Sequence, residues 1–167
     1  RQTGSVAVRV LGFGSRLTAH SCKVNNSQGS GVNVLGGGMT TLDACTVSGS
    51  QGCNVSALDG ASVVLQDCRC DSSNYCGLLV GRGSTAKAYL SSVSSNQCNG
   101  VSVEQGSRVV LHSCQCNGNK EFSGLALLYS GSSATAYSSS FKGNAQHNVC
   151  VMGGACVELH DCQCCFS

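Results

Sequence analysis

Apolar and polar residues alternate in short runs along the chain. In the run Val101-Ser102-Val103, and again in Ala86-Lys87-Ala88, every second residue is apolar. Alternation with a period of two is typical of β-strands, because successive side chains of a strand point to opposite faces. No segment keeps the 3.6-residue spacing of an amphipathic helix for more than about one turn. The pattern therefore predicts an all-β protein built from many short strands.

The runs recur with a fixed period that seven glycines mark. Successive marker glycines are 23, 23, 23, 23, 25 and 23 residues apart. They are Gly14, Gly37, Gly60, Gly83, Gly106, Gly131 and Gly154. A repeat of this length is the signature of solenoid proteins, and three short strands per repeat predict one coil of a parallel β-helix. Residues 1–167 are therefore expected to form a single domain of about seven coils.

Residues of one type fall at the same position of each repeat. One apolar column is Val8, Val32, Val55, Leu78, Val101, Leu125 and Val149, and a second is Ala19, Leu42, Leu65, Ala88, Leu111, Ala136 and Leu159. A polar column is Ser27, Ser50, Ser73, Asn96, Asn119 and Asn144. Stacked coils would bury the apolar columns as one continuous core. The polar column is expected to form hydrogen bonds along the axis of the stack.

A leucine-rich repeat has a similar period and is the main competing interpretation. The segment from Leu111 through Cys114 and Cys116 to Asn119 fits its conserved core pattern. The other half of such a repeat requires further leucines, whereas this chain has 14 leucines for seven repeats. The spacing therefore favours the β-helix.

The repeat G-V-x-V-x-x-G-S-x-V-x-L-x-x-C, which the chain carries from Gly100 to Cys114, resembles a known family. It is similar to the right-handed parallel β-helix repeat of pectate-lyase-like enzymes, carbohydrate-binding modules and substrate-recognition domains of some F-box proteins. The resemblance extends from about Val6 to Cys164 and implies a right-handed coil. Because the matching positions are core and turn positions, the resemblance implies a fold and leaves the function open.

Cysteine occupies repeat positions that suit small buried side chains. One column is Cys22, Cys45, Cys68, Ser91, Cys114, Ser139 and Cys162, and the next is Val24, Val47, Cys70, Val93, Cys116, Phe141 and Cys164. Exchange with serine, valine and phenylalanine favours free thiols over a disulfide framework. We therefore expect an intracellular protein, in the cytoplasm or within a cytoskeletal or organellar assembly, with a secreted protein as the alternative. Turn residues Cys53, Cys76 and Cys98 could form a disulfide or bind a metal, although their spacing matches no zinc motif.

Charge gives little indication of a nucleic acid or a membrane as partner. Charged residues make up 11% of the chain, the net charge is +2, and no basic run occurs. No apolar run approaches the ~20 residues of a membrane-spanning helix. The eight acidic residues provide no clear catalytic carboxyl pair, and only Asp43 and Asp67 lie on adjacent coils and neighbouring columns. We expect no metal and no cofactor, and an enzyme is the less favoured interpretation.

Two sets of outward residues are candidate binding sites. The first is a stripe at one repeat position, formed by His20, Asp43, Gln66, Tyr89, His112, Tyr137 and His160. It could bind a sugar chain or a peptide, or be an ordinary exposed strand surface. Its histidines cannot share a zinc ion, because His112 and His160 are two coils, or roughly 10 Å, apart.

The second set lies where the repeat lengthens by two residues. The extra residues fall near Lys120 and Glu121 and near Tyr129, and Phe122 adds a second aromatic ring. Insertions in solenoids map to loops and often lie on the binding face. The alternative is a length variant with no function.

These observations favour a non-enzymatic, rigid structural or protein-interaction module within a larger protein or assembly. The open ends of a β-helix expose unpaired strand edges, so we expect additional coils or partner proteins to cover at least one end. The alternative is a carbohydrate-active β-helix that binds or degrades a polysaccharide.

Overall fold

The computed structural model describes residues 5–166, which form short β-strands joined by turns. The strands are β1 Val8–Leu11, β2 Arg16–His20, β3 Lys23–Asn25, β4 Val32–Leu35, β5 Met39–Asp43, β6 Thr46–Ser48, β7 Val55–Leu58, β8 Ser62–Gln66, β9 Arg69–Asp71, β10 Leu78–Val80, β11 Thr85–Tyr89, β12 Val101–Glu104, β13 Arg108–His112, β14 Ser123–Leu128, β15 Ser133–Tyr137, β16 Ser140–Lys142, β17 His147–Val151, β18 Cys156–His160 and β19 Gln163–Cys165. No helix long and apolar enough to span a bilayer occurs in residues 5–166.

The strands form three parallel sheets along the length of a solenoid. Sheet A has the order β1-β4-β7-β10-β12-β14-β17, and sheet B contains β2, β5, β8, β11, β13, β15 and β18 in chain order. The third sheet, sheet C, begins with β3-β6-β9 and ends with β16-β19. Single bridges at Ser92 and Gln115 join its two parts. Each of the seven coils therefore contributes one segment to each sheet, which confirms the predicted all-β parallel β-helix.

The register between coils matches the sequence repeat. Val32 pairs with Val55, and Leu42 pairs with Leu65, each 23 residues further along the chain. The spacing becomes 24 where Val101 pairs with Leu125 and 25 where Arg108 pairs with Ser133. The two extra residues therefore lie in turns, and the strands on either side keep their pairing.

The core consists of the inward columns of all three sheets. Val55, Leu65, Leu78 and Leu111 are fully buried, and so is Phe141, which is among the largest buried side chains. Small layers alternate with large ones, since Ala88 lies between Leu65 and Leu111 in sheet B. Alternating side-chain sizes fill a narrow interior at the packing density of folded proteins.

The column that mixes cysteine with serine has a common hydrogen-bonding role. The Cys68 thiol donates to the backbone carbonyl of Gln66 at 3.2 Å, and the Ser91 hydroxyl donates to that of Tyr89 at 2.8 Å. The same bond to the residue two positions earlier recurs at Cys22, Cys45, Cys114, Ser139 and Cys162. Cysteine and serine exchange here because both are small donors.

All fourteen cysteines lie within the described residues and are free thiols. Cys53 and Cys76 are buried turn residues on adjacent coils, while Cys98 is half-buried. Residues 5–166 bring no three histidine, cysteine or acidic side chains into a metal-binding arrangement.

The marker glycines have a backbone conformation that other residues rarely adopt. Gly60 and Gly106 have φ angles of 75° and 74°, and a Cβ atom at either position would meet nothing within 4 Å. Backbone conformation, and not lack of space, therefore favours glycine at these turns.

Candidate functional site

The predicted stripe is a continuous line at the end of the sheet B strands. The register pairs His20 with Asp43, and the same column continues through Gln66, Tyr89, His112, Tyr137 and His160. At its N-terminal end, Nδ1 of His20 lies 2.7 Å from Oδ2 of Asp43. Asp43 is therefore engaged by a histidine on the preceding coil.

Four rings of the stripe stack on one another. The ring centroids are 5.3 Å apart for Tyr89 and His112, 4.6 Å for His112 and Tyr137, and 4.8 Å for Tyr137 and His160. The rings are within 12° of parallel. Stacking covers the ring faces and leaves mainly ring edges for a ligand. A platform for the apolar face of a sugar needs uncovered ring faces, so the stripe fits a structural ladder better than a sugar site.

The second predicted set is divided by the structure. Lys120, Glu121 and Phe122 are exposed residues directly before β14, whereas Tyr129 follows its end. Six residues of strand place about 20 Å between the two groups. Tyr129 therefore does not form a patch with the other three residues.

Phe122 lies on the rim of a groove that the sequence did not reveal. The groove has a volume of about 400 Å³ and follows the outer face of sheet A from the fourth coil to the seventh. We call it the sheet A groove. It is lined by Tyr75, Cys76, Cys98, Asn99, Ser102, Glu104, Phe122, Ser123, Ala126, Leu128, Gln146, His147, Cys150 and Met152.

Successive coils build the groove from three positions. The floor is the outward column of Ser102, Ala126 and Cys150, which pair in register. Ser102 is 1% exposed and Ala126 is 3% exposed, although both point away from the core. The walls rise from the turns before the strands and from the strand ends, where Leu128 lies beside Glu104. The outer face of sheet A is therefore concave.

Glu104 is the acidic group of the groove. The Ser102 hydroxyl donates a hydrogen bond to its Oε1 at 2.9 Å. None of the lining residues is a lysine or an arginine. Outside the groove, next to Phe122, the Gln97 amide donates to Oε1 of the exposed Glu121 at 2.7 Å. The electrostatic potential of the groove therefore favours a cation over an anion.

Two of the thiols that line the groove, Cys76 and Cys98, have a raised pKa. A hydrogen bond with the Cys53 thiol, together with burial, raises the pKa of Cys76 well above its ordinary value. Burial is the main cause of the raised pKa of Cys98. The neighbouring Cys76 thiol, followed by burial, raises the pKa of Tyr75. Because the thiolate is the nucleophile, Cys76 and Cys98 are poor nucleophiles at neutral pH.

The fold of the chain matches a described family. The family model for the right handed beta helix region matches residues 3–141. The chain belongs to this right-handed β-helix family. Membership establishes the hand of the coil that the sequence repeat implied. No curated protein matches the chain.

Two solved structures have a similar β-helix. The periplasmic alginate epimerase AlgG superposes with a TM-score of 0.60 at 10% identity, over 87% of this chain and 50% of that one. The A-module of the Azotobacter vinelandii mannuronan C-5 epimerase AlgE6 gives 0.58 at 12% identity, over 98% of this chain and 56% of that module. The chain thus spans about half the length of each neighbour. At this identity the likeness concerns the β-helix fold alone.

Proposed function

We propose that this β-helix is a rigid, non-enzymatic module that binds an apolar segment of a partner protein in the sheet A groove. The observation that carries the proposal is the lining of the groove, in which eight of the fourteen residues are apolar, aromatic or cysteine and one is a carboxylate. Concave, mostly apolar clefts with few polar groups are typical binding sites. The stacked coils are continuously paired, so the walls are preorganised for a ligand.

The side chains of the groove support binding over catalysis. Glu104 is its only carboxylate, so a general acid and base pair of two carboxyl groups is absent from the lining residues. The raised pKa values of Cys76 and Cys98 disfavour the thiolate that a cysteine nucleophile requires. The one histidine of the lining, His147, is exposed at the start of β17, whereas Glu104 is at the end of β12. The two groups therefore lie at opposite ends of the sheet A strands and do not form an acid and base pair.

Selection from a random-peptide display library tests the proposal. Peptides selected on the wild-type chain should be rich in apolar residues and should lose binding to Phe122→Ser, because Phe122 forms part of the rim. The matched control is Phe13→Ser, since Phe13 is 96% exposed on the first coil and far from the groove. Equal binding to the wild-type chain and Phe122→Ser would contradict the proposal, as would a selection without any enriched peptide.

The second candidate function is polysaccharide binding or modification. It is favoured by the two similar folds, which belong to an alginate epimerase and a mannuronan epimerase. Against it, a polyuronate is an anion, and the groove presents Glu104 without a lining lysine or arginine. Calorimetric titration with mannuronan oligomers distinguishes polysaccharide binding from the docking of a protein segment. Saturable binding that Phe122→Ser abolishes would favour the polysaccharide.

We also propose that further coils or partner proteins cover at least one end of the β-helix. Support comes from the last coil, where the core residue Leu159 is 40% exposed and Val149 is only partly buried. A reducing, intracellular compartment is the proposed location, supported by free buried thiols such as Cys70 and Cys116. The secreted alternative is favoured by the periplasmic location in the name of AlgG. Mass analysis after alkylation of the unfolded, non-reduced protein from its native source separates the two, because unfolding exposes every free thiol whereas a disulfide blocks the alkylation of its two cysteines.

A further inference from the structure

The outward column at the end of the sheet A strands is apolar except at Gly81 and at Glu104, which carries a charge. The column contains Leu11, Leu35 and Leu58, which pair in register, and Glu104, which pairs with Leu128. Gly81 and Met152 continue it, because each directly follows a residue that is paired in the same register. Glu104 therefore interrupts a line of apolar side chains, with a glycine on one side and Leu128 on the other. The described residues form four ion pairs, and Glu104 belongs to none of them.

One oxygen of Glu104 is available to a ligand. Oε1 accepts the bond from Ser102, whereas Oε2 accepts none from residues 5–166. Glu104 is half-buried and lines the groove. A partly desolvated carboxylate next to apolar walls interacts more strongly with a cation than an exposed one does. The site therefore favours a group that combines positive charge with an apolar stem.

Lysine and arginine side chains have that combination. Their methylene stems can lie along apolar surface while the charged group reaches a polar partner. The Tyr75 ring and the Phe122 ring border the same groove and extend its apolar surface.

We propose that the sheet A groove selects partner segments in which a lysine or arginine lies among apolar residues, and that Glu104 pairs with this basic residue. The inference rests on the proposed function and specifies its ligand. The groove spans four coils, or about 14 Å along the axis. That length accommodates about four residues of an extended segment. The remaining contacts come from apolar side chains on Ala126, Leu128, Cys150 and Met152.

A double-mutant cycle on one selected peptide tests the pairing. The protein variant is Glu104→Gln, which keeps the shape of the side chain and its bond with Ser102. The peptide variant replaces its basic residue by methionine. Each single change should weaken binding about tenfold, and both together should weaken it no further. The matched control is Glu121→Gln, since Glu121 is an exposed carboxylate outside the lining and its loss should change the affinity less than about twofold.

The outcomes distinguish this inference from the proposed function. Peptides that depend on Phe122 but show no preference for a basic residue, and that bind Glu104→Gln as tightly as the wild-type chain, would overturn the pairing and leave the groove as a docking site. Additive effects of the two changes would also overturn the pairing. Peptides that bind Phe122→Ser normally would overturn the proposed function itself.

Discussion

The side-chain amide of Asn119 donates a hydrogen bond to Oδ1 of Asn144 at 2.8 Å, although the two residues are 25 positions apart. Oδ1 of Asn119 in turn accepts the backbone N–H of Asn96 at 3.0 Å. Asn96 accepts from Ser73 in the same way. This buried ladder confirms the predicted polar column in these coils and satisfies the backbone of turns that have no strand partner.

Asn119→Ala should destabilise the fold strongly. Asn119 is 1% exposed, and its replacement leaves the Asn96 N–H without its acceptor. It also removes the side-chain bond to Oδ1 of Asn144, which keeps only the backbone N–H of residue 119 as a donor. A buried donor left unpaired costs about 1 to 3 kcal/mol and a lost hydrogen bond about 1 kcal/mol, so we expect a loss of about 2 to 4 kcal/mol in the free energy of unfolding. Urea denaturation measures it. Asn74→Ala is the control, because the Asn74 amide donates to Gln51 at the exposed surface. Its loss should lower the free energy of unfolding by less than about 0.5 kcal/mol.

Two neighbouring cysteines should respond differently to serine. Cys114→Ser should change the free energy of unfolding by less than about 1 kcal/mol, because serine already fills this column at Ser91 and Ser139 and donates the same bond. Cys116→Ser should cost about 2 kcal/mol or more, because its fully buried column is otherwise apolar. Chemical denaturation compares the two. Equal losses would show that the columns do not have the distinct roles described above.

Stability should fall in alkaline solution because thiols are buried. Burial raises the pKa of Cys116 well above its ordinary value of 9.0, and the pKa of Cys70 rises for the same reason. Below pH 9 both the folded and the unfolded chain keep these protons. Above it the unfolded chain releases them first, so the free energy of unfolding should fall by about 1.4 kcal/mol per pH unit for each such thiol. Cys116→Val should reduce this slope, and an unchanged slope would assign it to other groups.

The aromatic stripe should contribute to stability without affecting peptide binding. His112 lies between Tyr89 and Tyr137, and each stacked pair is worth about 0.5 to 1.5 kcal/mol. His112→Ala should therefore lower the free energy of unfolding by about 1 to 3 kcal/mol. The affinity for peptides selected on the wild-type chain should stay the same. A loss of affinity comparable with that of Phe122→Ser would transfer the binding site to the stripe.

The sequence was sufficient to predict the coils and to predict that the residues of the stripe form one line. Stacked strands place equal repeat positions directly above one another, so spacing alone predicts that Tyr89 and His112 are neighbours. Spacing also predicted two insertions in turns. It did not reveal that β14 separates Tyr129 from Phe122, because the lengths of strands and turns within a repeat cannot be read from the period.

The groove was not predictable from the pattern of apolar positions. Ala126 and Cys150 directly follow the core residues Leu125 and Val149, so alternation places them outward, but it does not show that neighbouring coils enclose them. Ser102 is buried because walls from neighbouring coils enclose it, and these walls come from separate turns. One feature of the sequence did point to sheet A. The outward positions of sheet A are apolar at Leu79 and Ala126, whereas those of sheet B include Lys87 and Glu158.

Amide hydrogen exchange with a bound selected peptide tests the docking site most directly. We predict slower exchange in the three strands that form the groove, at Val101–Glu104, Ser123–Leu128 and His147–Val151, with no change along sheet B. Phe122→Ser at the same peptide concentration should remove that protection, and Phe13→Ser should retain it. Protection centred on Tyr89–Tyr137 of the stripe, or exchange that the peptide leaves unchanged throughout sheet A, would contradict the account.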